Sequence, residues 1–244
     1  PDRDTLKVTH NASNEASPVE VPLEGTAEAP QIAATLEPDT ATVRSGQELA
    51  LEQTVTNEAT EVAQLDVDVT GIPDFLSLEG ASVTGGDGTI DGQSLSLQPG
   101  AEAPLTYSFQ EDVGETTVFG GAIEHQTNDP SAPSPLEIGV EVTVDPVDVA
   151  LNPQSLDLTA GDTELLVEDV VANPGDAVVI TTDNGDGSFG DEKVVGSVSV
   201  EDSLDSESVL VDVQADDGTE DASPMDHAAH VSTDGTVGGA VATS

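Results

Sequence analysis

The sequence predicts an all-β protein: two β-sandwich or barrel domains in tandem, Ig-like or jelly-roll-like, preceded by an extended N-terminal arm. Three observations predict it. Nearly every apolar segment alternates with period two, the pattern of strands that bury one face. Turn-forming clusters such as "TGGDG", "NPGD", "DNGDG" and "ADDG" separate those segments. No stretch sustains a helical period, and the nearest approach, "SPMDHAAHV", spans barely two turns.

The elements follow in order. Residues 1–30, with two short apolar runs in polar, proline-containing surroundings, read as the arm. It is held either by its own domain or by donating a strand to the open sheet edge of a neighbouring subunit. Residues 31–145 form the first sandwich. In "ELALEQTVTN", Leu49, Leu51 and Val55 share a face. In "EVAQLDVDVTGI", Leu65, Val67 and Val69 oppose Asp66 and Asp68. "FLSLEGASV" and "TIDGQSLSL" read as one strand each, and "APLTYSF" directs Leu105, Tyr107 and Phe109 to one side. "TTVFGGAIEH" and "PLEIGVEVTV" close the domain. Residues 146–244 form the second sandwich or barrel, from "SLDLTAG", "ELLVEDVVANPG", "AVVITTD", "KVVGSVSV", "SVLVDVQAD" and "GGAVATS".

Charge sets the environment. The chain has 49 Asp and Glu against 4 Lys and Arg, a net charge of −45 over 244 residues. In dilute buffer that repulsion opposes compaction. At molar salt the Debye length falls to about 3 Å and most of it is screened. Acids that alternate with Val, Leu and Ile describe a folded, salt-adapted protein rather than a disordered acidic tail. Four cations (Arg3, Lys7, Arg44 and Lys193) cannot neutralise a run of phosphates, which excludes nucleic acid as a partner. No apolar run approaches the roughly 20 residues of a membrane-spanning helix, so no direct membrane insertion is expected. Cysteine is absent, so no disulfide forms. Pro1 is not preceded by an apolar leader, which sets the expectation of synthesis without a signal peptide and release in a virus particle.

Candidate sites are few. Asp183, Asp186 and Asp191 in "TTDNGDGSFGDE" offer oxygen ligands in a glycine turn, a candidate Ca²⁺ site without EF-hand spacing. His227 and His230 would share one side of a helix, as a transition metal requires, and would point oppositely on a strand. Asn11 heads the sequon Asn11-Ala12-Ser13. Bound K⁺ or Na⁺ is expected at the many carboxylates, and no organic cofactor. No nucleophile elbow, Walker loop or H-E-x-x-H motif occurs, and the expected reading is no enzyme.

One stretch, "EHQTNDPSAPSPLEIGVEVTV" (residues 124–144), joins turn formers and three prolines to an alternating strand. Together with "SGQELALEQTVTN" and "LQPGAEAPLTYSF" it resembles the choice-of-anchor and Hydin-type (ASH-like) Ig-like domains, over residues 36–144. Residues 148–244, with "GDAVVITTDNGDG", "VVGSVSV" and "PMDHAAHVSTDG", are similar to small β domains of haloarchaeal surface proteins. The resemblances imply spacers, scaffolds and surface modules of haloarchaeal or archaeal-virus origin, with no catalytic residues to carry over. The expected function is a structural subunit of an extracellular assembly: a capsid, coat or spike protein of a haloarchaeal virus. The alternative is a haloarchaeal cell-envelope protein, such as a filament, surface-layer or adhesin-like module that binds Ca²⁺. Expected partners are copies of itself and other coat or envelope proteins. The expected location is the virion or, alternatively, the cell surface.

Overall fold

The computed structural model describes residues 2–9, 11, 13, 17–25, 28–152, 154, 164–182, 194–213, 227–232 and 241–243. Strands β1 (Asp2–Val8) and β2 (Val19–Gly25) pair antiparallel in a two-stranded sheet of their own. The segment expected as a single extended arm is thus a hairpin. Its two apolar runs meet the hydrogen-bonding demand of their backbones by pairing with each other.

The first sandwich packs a four-stranded sheet on a six-stranded one. The smaller contains, in spatial order, β3 (Ile32–Glu37), β5 (Leu49–Asn57), β10 (Glu102–Phe109) and β7 (Ser77–Ala81). The larger contains β4 (Thr40–Arg44), β12 (Leu136–Asp145), β11 (Thr117–Thr127), β6 (Leu65–Gly71), β9 (Ser94–Leu97) and β8 (Gly88–Asp91). Neighbours run antiparallel except β4 and β12, which are parallel. Burial follows the alternation: Leu65, Val67 and Val69 are buried while Asp66 and Asp68 are exposed. Leu105, Tyr107 and Phe109 line the core from β10. Each fully buried Leu, Val or Phe contributes roughly 1.5–3 kcal/mol, so the core rests on its aliphatics. Three of the four phenylalanines form an edge-on cluster, with Phe75, Phe109 and Phe119 centroids 5.4–6.0 Å apart.

"TIDGQSLSL", expected as one strand, is two. Asp91 faces Ser94 across a two-residue turn in which Gly92 takes φ +62°, so β8 folds back on β9. Glycine at the first of the two turn positions, Gly92-Gln93, suits a tight hairpin, because glycine enters the left-handed region without steric cost.

The second sandwich sets β13 (Asp148–Ala150), β14 (Glu164–Ala172) and β17 (Leu204–Asp212) against β16 (Val194–Ser199), β15 (Ala177–Thr182), β18 (His227–Ser232) and β19 (Val241–Thr243). Its apolar core is built from aliphatic residues without an aromatic ring among the described residues, including Leu165, Val167, Val178, Ile180, Val211, Ala229 and Val231. β15 and β18 are buried on both faces over most of their length. β16 and β17 meet at Gly196, where an added Cβ would lie 2.4 Å from the Asp212 carbonyl oxygen, so only glycine fits. The expected strand "SLDLTAG" (residues 155–161) lies outside the described residues.

Candidate functional site

The residues singled out from sequence do not come together. β18 is extended where a helix would have been needed to align the histidines. His227 and His230, an odd number of positions apart on one strand, therefore take opposite faces and do not form the metal pair that a helix would have made. His230 is buried, with Nε2 2.9 Å from Thr181 Oγ1 on neighbouring β15. Asp183, Asp186 and Asp191 lie outside the described residues. Asn11 is exposed in the segment joining β1 to β2. Among the described residues no group of three or more His, Asp or Glu is arranged to hold a metal ion.

The asparagine and aspartate of "TNDP" act as staples. Asn128 extends the β6–β11 ladder with its side chain: Oδ1 accepts from Asp66 N (3.0 Å) and Nδ2 donates to Gln64 O (3.1 Å). The next residue, Asp129, turns to the opposite sheet and accepts from Ile32 N at 3.0 Å, while its other oxygen accepts from the Ser131 backbone and hydroxyl, each at 2.7 Å. Burial favours the neutral acid, but the Ser131 hydroxyl and the N–H groups of Ile32, Ser131 and Ala132 outweigh it. They hold the carboxyl below its ordinary range. Asn57, the last residue of β5, does the same work at another corner. Its Nδ2 donates to Ala63 O (2.8 Å) and Leu97 O (2.9 Å), and its Oδ1 accepts from Ala59 N (3.1 Å). The stretch is a clamp between sheets, and Ser134–Pro135 in it is a cis peptide.

A polar cluster sits inside the first core, where the alternation of β5 places Gln53 between Leu51 and Val55. Gln53 Oε1 accepts from Tyr107 OH at 3.0 Å and lies 3.1 Å from His125 Nε2, and all three residues are fully buried. Because a carbonyl oxygen only accepts, this arrangement places the imidazole proton on Nε2. Gln53 Nε2 has no hydrogen-bond partner among the described residues. Burial pushes His125 below its ordinary value, opposed by the backbone of Leu136 and Ile123. Burial also raises the Tyr107 phenol to about 12. The cluster is shut off from solvent, so no substrate reaches it.

The two sandwiches meet at Arg44, the last residue of β4. Its Nη1 donates to Ala172 O (2.8 Å) and Ser203 Oγ (2.5 Å), and Nη2 lies 3.6 Å from Asp205 Oδ1. In return, Asn173 Nδ2 donates to Ser45 O at 2.9 Å. Asn173 opens the "NPGD" turn, whose Asp176 accepts from Asn173 N at 2.7 Å. Burial raises the Asp176 carboxyl and the charge of Asp112 adds to it, against the Asn173 N–H and Arg44. A guanidinium suits this corner because its planar fork reaches several acceptors at once.

An open groove of about 790 Å³ lies where β3 crosses to β4, lined in part by Gly120, Gly121 and Gly139. Its charged lining residues, Glu37, Asp39, Glu137 and Glu141, are all acidic. No helix among the described residues is long and apolar enough to cross a membrane.

No family model matches the chain, and no curated protein matches it. Solved structures are similar at low identity. One, a protein of unknown function from Porphyromonas gingivalis W83, is 16% identical over 86% of this chain and 98% of its own, with a TM-score of 0.32. The YadV chaperone is 8% identical over 86% and 98%, at 0.25. The chaperone–tip adhesion subunit complex CsuC–CsuE, from the archaic chaperone-usher Csu pili of Acinetobacter baumannii, is 8% identical over 86% and 97%, at 0.29. Similarity at this level transfers no function.

Proposed function

We propose that this chain is a non-catalytic structural subunit of an extracellular assembly bathed in concentrated salt. The observation that carries the reading is the division of charge along its strands. Carboxylates occupy the outward positions over two apolar cores, as Asp66 and Asp68 do on β6, in a chain with a net charge of −45. Such a surface repels its own copies until salt screens it. The acid-lined groove offers no cation to an anionic substrate or a developing oxyanion, and the histidines of the two cores are enclosed.

The setting we propose is the coat or spike of a virus of haloarchaea. The resemblance to surface-protein domains favours a second setting, the haloarchaeal cell envelope with Ca²⁺ in the acidic turns. Sedimentation velocity of the full chain tests the shared claim. Self-association is expected in molar KCl and dissociation near 0.1 M, whereas a monomer at every salt concentration contradicts it. Peptides of this chain in purified virions or in washed envelopes separate the two settings.

A further inference from the structure

β12 is covered along only part of its outer edge. β4 pairs with it from Thr40 opposite Glu141 to Arg44 opposite Asp145, and among the described residues no strand pairs with Leu136–Val140 on that side. The backbone alternation shows which groups are left. Glu141 N donates to Asp39 O at 2.9 Å, and successive peptide groups of a strand point to opposite edges, so Glu137 and Gly139 also direct theirs away from β11. On the facing sheet, Glu58 N donates to Gln31 O at 2.9 Å, which turns the peptide groups of Ile32, Ala34 and Leu36 away from β5. Ile32 N is already taken by Asp129. The groove lies between these two edges, with Ala34, Leu36, Glu137 and Gly139 in its lining. An uncovered edge of this kind accepts an added strand, whose main-chain bonds supply affinity and whose alternating side chains supply specificity.

The pleat sets the pattern of that strand. Beside β12, its inward positions neighbour Ile138 and Val140, and its outward positions neighbour Glu137, Gly139 and Glu141. Val140 belongs to the first core and Ile138 packs against it, so the inward positions suit aliphatic side chains. Gly139 leaves the outward side open, since a Cβ added there meets nothing within 4 Å. Glu37, Asp39, Glu137 and Glu141 are exposed, and none of them is in an ion pair among the described residues. The outward positions therefore suit Lys or Arg. A second copy brings 49 acids and 4 cations, the wrong charge for this lining, so the matching strand comes from a different chain.

We propose that the groove between β3 and β12 takes an extended segment of another protein, in which aliphatic residues alternate with Lys or Arg, paired with the uncovered part of the β12 edge. The contact goes beyond the assembly reading and stands without it, because its partner is not a copy of this chain.

The probe is a fluorescent peptide, Lys-Val-Lys-Val-Lys, matched to the stretch Leu136–Val140, titrated with the full chain and read by anisotropy. Molar KCl suppresses unspecific attraction to the acidic surface. Saturable binding is expected, about tenfold tighter than for Lys-Ser-Lys-Ser-Lys, which lacks the apolar face, or Glu-Val-Glu-Val-Glu, which has the wrong sign. Gly139→Pro deletes an N–H that faces the groove and spares the β11 side, and should weaken binding about tenfold. Glu137→Gln/Glu141→Gln should narrow the margin of the lysine peptide over the glutamate peptide. Both variants are expected to keep the parent thermal transitions in the same salt, and should the proline variant not fold, the glutamine variant decides. Equal binding of the valine and serine peptides overturns the proposal, because it marks unspecific attraction. Binding that no variant changes overturns it too, as does no binding at all. Self-association lost in a folded Gly139→Pro variant, with no peptide bound by the parent, seats a second copy in the groove and also overturns it. Each of these failures leaves the sedimentation test of the assembly reading to be judged on its own.

Discussion

Asp129 Oδ2 accepts the backbone N–H of Ile32 at 3.0 Å, joining the loop after β11 in one sheet to the first residue of β3 in the other. The carboxylate is held in its charged form by four donors despite burial. Asp129→Ala is expected to lower the stability of the first sandwich by about 1–2 kcal/mol. The pH dependence has a definite sign. A depressed folded-state pKa contributes stability that is present above the ordinary value of 3.8 and is lost as pH falls through the folded value. The gap between Asp129→Asn and the parent protein, measured by calorimetry, should therefore close at the acid end.

The strand pattern of the first sandwich was legible because one face of each strand is buried and the other is acidic. Leu65, Val67 and Val69 against Asp66 and Asp68 could hardly be read otherwise. The polar staples were visible only as motif letters. "TVTN" and "TNDP" do not say that Asn57 and Asp129 bond across sheets, since those partners are distant in sequence. Gln53 was hidden for a different reason: a polar residue on the core face breaks the pattern, and its partners Tyr107 and His125 lie 54 and 72 positions away. The hairpin at Gly92 carried a readable signal in that glycine, which interrupts the run at the first position of the turn. The relation of His227 and His230 stayed open because helix and strand assign them opposite relations, and so short a segment does not choose between them.

The buried cluster has two optical and thermal consequences. Tyr107 is the only tyrosine, so phenolate absorbance reads the core directly. A pKa raised to about 12 contributes stability that is complete below 10 and is lost as pH rises through 12. Folded protein should show no phenolate until that range, and ionisation near 10 would place the ring in solvent. Tyr107→Phe is expected to cost about 1 kcal/mol by removing a donor to Gln53.

His125 works in the other direction. Its folded pKa lies below 6.5, so its contribution is full above that value and is lost as pH falls below it. His125→Gln, which keeps an amide nitrogen near the position of Nε2, should flatten the stability profile on the acid side of 6.5. An unchanged profile would mean that the imidazole titrates freely.

At the junction, Arg44→Ala removes the bonds to Ala172 and Ser203 and should uncouple the sandwiches, splitting one calorimetric transition into two. The expected loss is about 1–3 kcal/mol, with Arg44→Lys recovering only part. Asp176→Asn should stabilise at neutral pH. The raised carboxyl contributes stability that is full below 3.8 and is lost as pH rises through its folded value, so the amide removes a penalty present at neutrality.

The claim on which the rest depends is that this acidic shell needs concentrated salt to remain folded and assembled. Scanning calorimetry of the full chain across KCl from about 0.1 M to several molar tests it most directly, because screening is nearly complete at the upper end. The account predicts a cooperative transition whose midpoint rises steeply with salt and is lost near 0.1 M. A midpoint independent of salt, with native assembly retained at 0.1 M, would contradict it.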